Sequence, residues 1–126
     1  MGKRLARGGF QPDLIWSSSA KRALETARII AKQLRYKRRN IDIDPRLYAT
    51  SARALLLRLH RLKGSVMNVA LCGHNPELHA LAQRLGAKLD ELPTCGVVEL
   101  QFAAARWVLI GKPTLVRASV DYPRNS

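Results

Sequence analysis

Arg22 and His74 hold the positions from which this sequence could do chemistry. Each sits in a segment of one design: apolar strand, tight turn, polar cap, helix. The first is Asp13-Leu14-Ile15-Trp16-Ser17-Ser18-Ser19, and the second is Val69-Ala70-Leu71-Cys72-Gly73-His74-Asn75-Pro76. If the two strands are parallel neighbours, both helix N-termini point at the carboxyl end of the sheet, where open α/β sheets bind ligands. Helix N-termini present free N–H groups and partial positive charge, which favour a phosphate or a carboxylate. Arg22 falls in the first turn of one helix and His74 directly precedes the other. A guanidinium fork and an imidazole aimed at one anion would make a phosphoryl site. Taken singly, a first-turn arginine is an ordinary surface residue, and a histidine before a helix is an ordinary cap or hydrogen-bond partner. Their joint placement is what points to an anion.

The elements that must position these residues are legible from periodicity. Asp13 to Trp16 reads as a short buried strand. Ser17-Ser18-Ser19 follows as an N-cap cluster, and a helix runs to about Leu34 with Ala20, Ala23, Leu24, Ala27, Ile30, Ala31 and Leu34 on a 3.6-residue period. Ile41 to Asp44 alternates like a strand with one wet face. Thr50-Ser51 caps a leucine-rich helix ending near Gly64. Val66 to Cys72 is an apolar strand, and Asn75-Pro76 opens a helix to about Leu85, asparagine being a favoured cap and proline a favoured first residue. Val97 to Phe102 and Trp107 to Ile110 read as an antiparallel pair, with a further strand ending near Val120. The expected fold is therefore α/β, a mixed sheet flanked by helices, in a single domain over residues 1–126.

The start of the chain has a different character. Lys3 to Arg7 reads as the last turn of a helix stopped by Gly8-Gly9, with no residue before it to begin that helix. The expectation is a domain incomplete at its N-terminus, lacking its first strand. Such a loss would leave sheet edges open to self-association.

Bulk properties restrict the function classes. The composition, 47% hydrophobic and 25% charged, suits a soluble globular protein. No apolar run reaches the roughly 18–20 residues that span a bilayer, and no apolar stretch follows the basic N-terminus as in a secretory signal. The expectation is a cytoplasmic protein without a membrane partner. Cys72 and Cys95 form no C-x-x-C pair, and with few histidines nearby they offer no set of about four zinc ligands, so no metal or cofactor is called for. The formal charge of +13 is compatible with an anionic substrate, an acidic partner or nucleic acid. Arginine also supplies 15 of the 22 basic residues, a bias that solvated faces can simply absorb. Only Arg35-Tyr36-Lys37-Arg38-Arg39 is dense, and without interleaved aromatics beyond Tyr36 nucleic acid is not the expected partner.

The segment Ser17-Ser18-Ser19-Ala20-Lys21-Arg22-Ala23-Leu24-Glu25-Thr26-Ala27 resembles the histidine phosphatase pattern S-S-P-A-x-R-A-x-Q-T-A. The strand with Gly73-His74-Asn75-Pro76, and Leu92-Pro93-Thr94 before the next strand, are similar to the same segments of the SixA-like phosphohistidine phosphatases, in the phosphoglycerate mutase-like superfamily. Leu47-Tyr48-Ala49 and the leucine-rich helix fit as well. Ser19 stands in place of the usual proline, and Glu25 in place of the usual glutamine.

The resemblance implies a phosphate pocket of two histidines and two arginines, with Arg22 and His74 as one pair and Ser18 and Asn75 beside them on the phosphate. It implies a two-step hydrolysis: a first-strand histidine attacks phosphorus, and water then hydrolyses the phosphohistidine. The expected substrate is a phosphorylated protein or a small phosphorylated molecule. The other pair of the pocket belongs to an R-H-G or R-H-A motif, and this chain contains no Arg-His dipeptide. His60 has the reverse order and lies in a helix. Glu77 and Glu91 match no general acid of the superfamily. Turnover by this polypeptide alone is not expected, and the alternative function is a module that binds phosphate or acidic partners without catalysis.

Overall fold

The computed structural model of the chain describes residues 10–48, 50–74, 76–88 and 97–121, with Val97, Val120 and Asp121 described by their backbone alone. The expected helix end over residues 3–9, Ala49, Asn75, Glu91, the Leu92-Pro93-Thr94 strand entry and Cys95 lie outside the described residues. The chain folds as two compact units, one of residues 1–50 and 65–74, the other of residues 51–64 and 75–126. The architecture is α/β as expected. Parallel and antiparallel pairing both occur, divided between two sheets.

The first unit is built on a parallel sheet in the order β2-β1-β3, with β1 Leu14–Ser17, β2 Asp42–Ile43 and β3 Val69–Cys72. Leu14 stands opposite Val69 and Ser17 opposite Cys72, so β1 and β3 end together. The central strand β1 is buried throughout its second half, with Ile15 fully enclosed. Such a strand reads as a continuous apolar run rather than an alternation. The start of the β1–β3 pair is clipped by Asp13, whose Oδ2 accepts the backbone N–H groups of Met67 and Asn68 at 2.8 and 2.9 Å. Helix α1, Lys21–Gln33, buries Ala23, Ala27, Ile30 and Ala31, the small residues letting its backbone lie close to the sheet.

Helix α1 starts later than the serine cluster suggests. Its N-cap is Ala20, which has no side-chain cap, while the Ser18 hydroxyl accepts the Ala20 N–H at 3.0 Å in a turn just ahead of the helix. The helix ends with Tyr36 N–H bonded to the Ala31 carbonyl and Arg35 N–H to that of Lys32, which places Arg35 in the left-handed region at φ 57°. Beyond it, Arg38–Asn40 forms a 3-10 turn, so the basic run leaves the helix at once. The strand expected at 41–44 is only two residues long, because Pro45 opens a second 3-10 turn, Pro45–Leu47.

In the second unit, α2 spans Ala52–His60, its first turn capped by Ser51, whose Oγ accepts the Ala54 N–H at 3.1 Å. It stops four residues short of Gly64. Helix α3, Glu77–Arg84, ends in the same motif as α1, with Ala87 N–H on the Ala82 carbonyl and Gly86 N–H on that of Gln83. Here the left-handed position, φ +107°, is a glycine, and a Cβ on it would also lie 2.8 Å from Leu115 Cδ2.

The expected pairing of Val97–Phe102 with Trp107–Ile110 is corrected. Strand β4, Val97–Phe102, pairs antiparallel with β5, Leu115–Asp121, and Trp107–Leu109 is a 3-10 turn. Trp107 to Ile110 is apolar without alternation, so it has no wet face to offer a two-stranded sheet, whereas residues 115–121 alternate. Thr114 closes the connection: its hydroxyl donates to the Leu109 carbonyl at 2.9 Å and accepts the Gly111 N–H at 3.0 Å.

Two predictions concern stability. Arg35→Gly removes a cost of about 1–2 kcal/mol for a Cβ in the left-handed region against about 0.4–1 kcal/mol from greater chain freedom, and the net should be a stabilisation of up to about 1 kcal/mol in urea unfolding. Burial pushes the Cys72 thiol up to about 12. The neutral thiol is the folded-state form, so its contribution to stability is whole below the unfolded value of about 8.5 and fades as pH rises from there toward 12. Peptide mapping after iodoacetamide treatment at pH 8 should show Cys72 unmodified in the native chain and alkylated in urea.

Candidate functional site

The carboxyl end of the parallel sheet collects polar groups that the strands themselves cannot satisfy. Ser17 and Ser18 are both fully buried. Their backbones are paired, the Ser17 carbonyl accepting Asp44 N–H at 2.8 Å and Ser18 N–H donating to the Cys72 carbonyl at 3.0 Å. The Ser17 hydroxyl turns back onto the Ser18 carbonyl at 2.9 Å. That leaves the Ser18 hydroxyl, which meets Nε2 of His74 at 2.7 Å.

His74 lies two residues beyond β3 and is half-buried. Its ring is held from a second direction by Tyr48, which meets it edge-on with centroids 5.1 Å apart and planes at 87°. Tyr48 leaves the Pro45–Leu47 turn at the end of β2 and is 59% exposed. The sequence places Leu47-Tyr48-Ala49 in a motif without giving Tyr48 a role; an exposed tyrosine five residues past a strand carries no signal until the strand order is known.

The same end holds Asp44, buried, whose carboxylate accepts Arg46 N–H at 2.9 Å and both Nε–H and a terminal N–H of the Arg46 side chain at 3.2 Å. This local fork fixes the chain between β2 and Tyr48. With Arg46 79% exposed, it shapes the turn more than it adds stability.

Arg22 occupies the first turn of α1, as expected, and is exposed. Among the described residues no ion pair or hydrogen bond engages its guanidinium, so the charge is available to an incoming anion. The first turn of α1 carries no acidic residue and no side-chain cap, which leaves its N–H groups to the same use. The structure therefore brings Ser18 and His74 together directly and sets Arg22 four residues after Ser18 on the helix that follows. Glu77 begins α3 in the other unit. There His60 is committed elsewhere, its Nε2–H donating to the Ile110 carbonyl at 3.1 Å. Among the described residues no group of three or more His, Cys, Asp or Glu could hold a metal ion. No described helix is long and apolar enough to cross a membrane.

Comparison with known proteins bears on this arrangement. The family model of the histidine phosphatase superfamily (branch 1) matches residues 1–54, which include β1, the serine turn and Arg22. No curated protein is similar enough to match the chain. A solved structure from Agrobacterium tumefaciens, named for phosphohistidine phosphatase SixA, shares 28% identity over 68% of this chain with a TM-score of 0.56. This chain spans 53% of that protein's length. A second SixA-named structure, from Nakamurella multipartitia, covers 96% of this chain and 77% of its own at a TM-score of 0.72. At 15% identity it speaks to the fold alone. The histidine phosphatase model thus matches the segment that holds β1, the serine turn and Arg22, and the fold of the chain is similar to that of the two SixA-named structures.

Proposed function

We propose that this chain supplies the Arg22 and His74 half of a phosphoryl site in a phosphohistidine phosphatase, whose substrate is a phosphorylated protein or a small phosphorylated molecule. The observation that carries this is the Ser18–His74 hydrogen bond at the shared end of β1 and β3, beside the uncapped helix that bears Arg22. Arg22 holds nonbridging oxygens of the phosphoryl group, the first-turn N–H groups of α1 add partial positive charge, and His74 donates a hydrogen bond to the same oxygens. The formal charge of +13 draws anionic substrates toward the site.

Transfer itself requires a histidine nucleophile that attacks phosphorus, expels the substrate's nitrogen or oxygen, and is then released by water as inorganic phosphate forms. None of the three histidines here follows an arginine. Binding is thus the part of the reaction assigned to these 126 residues, which makes phosphate holding without turnover the expected behaviour of the isolated polypeptide.

Thermal unfolding in millimolar orthophosphate, against chloride at equal ionic strength, tests this. The wild-type chain should be stabilised, and Arg22→Ala should weaken phosphate binding roughly tenfold or more, the loss of a charge-assisted contact. Lys32→Ala, an exposed cation in the last turn of the same helix, should leave it intact. Equal effects of the two substitutions would reduce the interaction to net charge. Hydrolysis of a phosphohistidine peptide should stay at the level of the His74→Ala variant, and turnover abolished by that substitution would overturn the division between binding and transfer.

A further inference from the structure

The surroundings of His74 determine more than its position. Its Nε2 is taken by the Ser18 hydroxyl at 2.7 Å, so Nδ1 is the ring nitrogen left for a ligand. The Ser18 oxygen also accepts the Ala20 N–H at 3.0 Å, in a site where Ser18 has no exposure to solvent. Among the described residues its own proton has no acceptor other than Nε2. A neutral His74 protonated on Nε2 would direct two donors at the Ser18 oxygen and strand the buried hydroxyl proton, a costly arrangement. A neutral ring protonated on Nδ1 lets the hydroxyl donate to Nε2 and satisfies every group. In the imidazolium form Nε2–H donates to Ser18 and Nδ1–H still points away.

Resting on the phosphoryl site proposed above, we infer that Ser18 and Tyr48 are positioning residues which fix His74 with Nδ1–H as the outward donor to the anion. Ser18 selects the tautomer through Nε2. Tyr48, edge-on at 5.1 Å, limits rotation of the ring about that hydrogen bond. Because Nδ1 carries a proton in both states of the ring, the anion meets a donor whether or not His74 is charged. Ser18 then serves the phosphate through His74, its hydroxyl being enclosed and already committed.

The test is 15N NMR of the full chain with labelled histidine, the His74 signals assigned by their loss in His74→Gln. In the free wild-type protein with the ring neutral, the proton should reside on Nδ1; residence on Nε2 overturns the inference. Orthophosphate should move the Nδ1 resonance more than that of Nε2, and the opposite order also overturns it. Ser18→Ala should abolish the preference for Nδ1–H and weaken phosphate binding roughly tenfold. Unchanged tautomer and affinity would remove Ser18 from the role. Tyr48→Ala should keep the tautomer and weaken binding severalfold, and unchanged binding would remove Tyr48. If the wild-type chain shows no response to phosphate, the phosphoryl-site proposal fails, and the free-state tautomer alone decides whether Ser18 sets the ring.

Discussion

The parallel pairing of β1 with β3 is the constraint on which the first unit depends. It puts β1 in the middle of the described sheet and buries Ile15, Trp16, Ser17 and Ser18 in succession. Two of those four are serines, and buried polar groups must be hydrogen-bonded to be tolerated. The strand thus ends in an unmet demand for partners. The chain meets it with the Cys72 carbonyl, the Asp44 N–H, the Ser18 carbonyl, the Ala20 N–H and the imidazole of His74. A requirement of folding has brought the candidate groups together.

That origin accounts for the different settings of the two proposed phosphate contacts. His74 is held by a buried hydroxyl and an aromatic edge, which fits a donor that must not reorganise when charge arrives. Arg22 is exposed on the first turn of α1, which fits a cation that first reaches a ligand in water and then settles on it. The Asp13 clip at one end of β1–β3 and the Ser18 N–H bond to the Cys72 carbonyl at the other hold the two strands in register, so a shift that would move Ser18 away from His74 breaks hydrogen bonds at both ends. The two serines and the aspartates are small contributors to stability individually. Their value lies in fixing one geometry.

The helix ends show the same physics without a functional pull. Helices α1 and α3 finish in the same hydrogen-bond pattern, one through Arg35 and one through Gly86. At Gly86 a Cβ would have to displace the end of the Leu115 side chain as well as strain the backbone, whereas Arg35 is exposed and bears the backbone strain alone. Glycine is favoured most where dihedral angle and a close neighbour both count against a side chain.

Residue order alone determined the α/β class, the extents of β1, α1 and α3 to within a few residues, and the pairing of Arg22 and His74 as candidates, because apolar periodicity and strand–turn–helix patterning are local properties. It misplaced the partner of β4, since Trp107–Ile110 lies nearer in sequence, although the alternation of Leu115–Asp121 suits a two-stranded sheet better and the Thr114-closed connection carries the chain to it. It also left Tyr48 without a role and gave Ser18 only a place near the phosphate. Tertiary structure alone decided that Ser18 reaches His74, 56 residues away, and that Tyr48 leans on the same ring. Those contacts follow from the strand order β2-β1-β3, a pairing between segments distant in sequence, and nothing in the neighbourhood of any one residue encodes it.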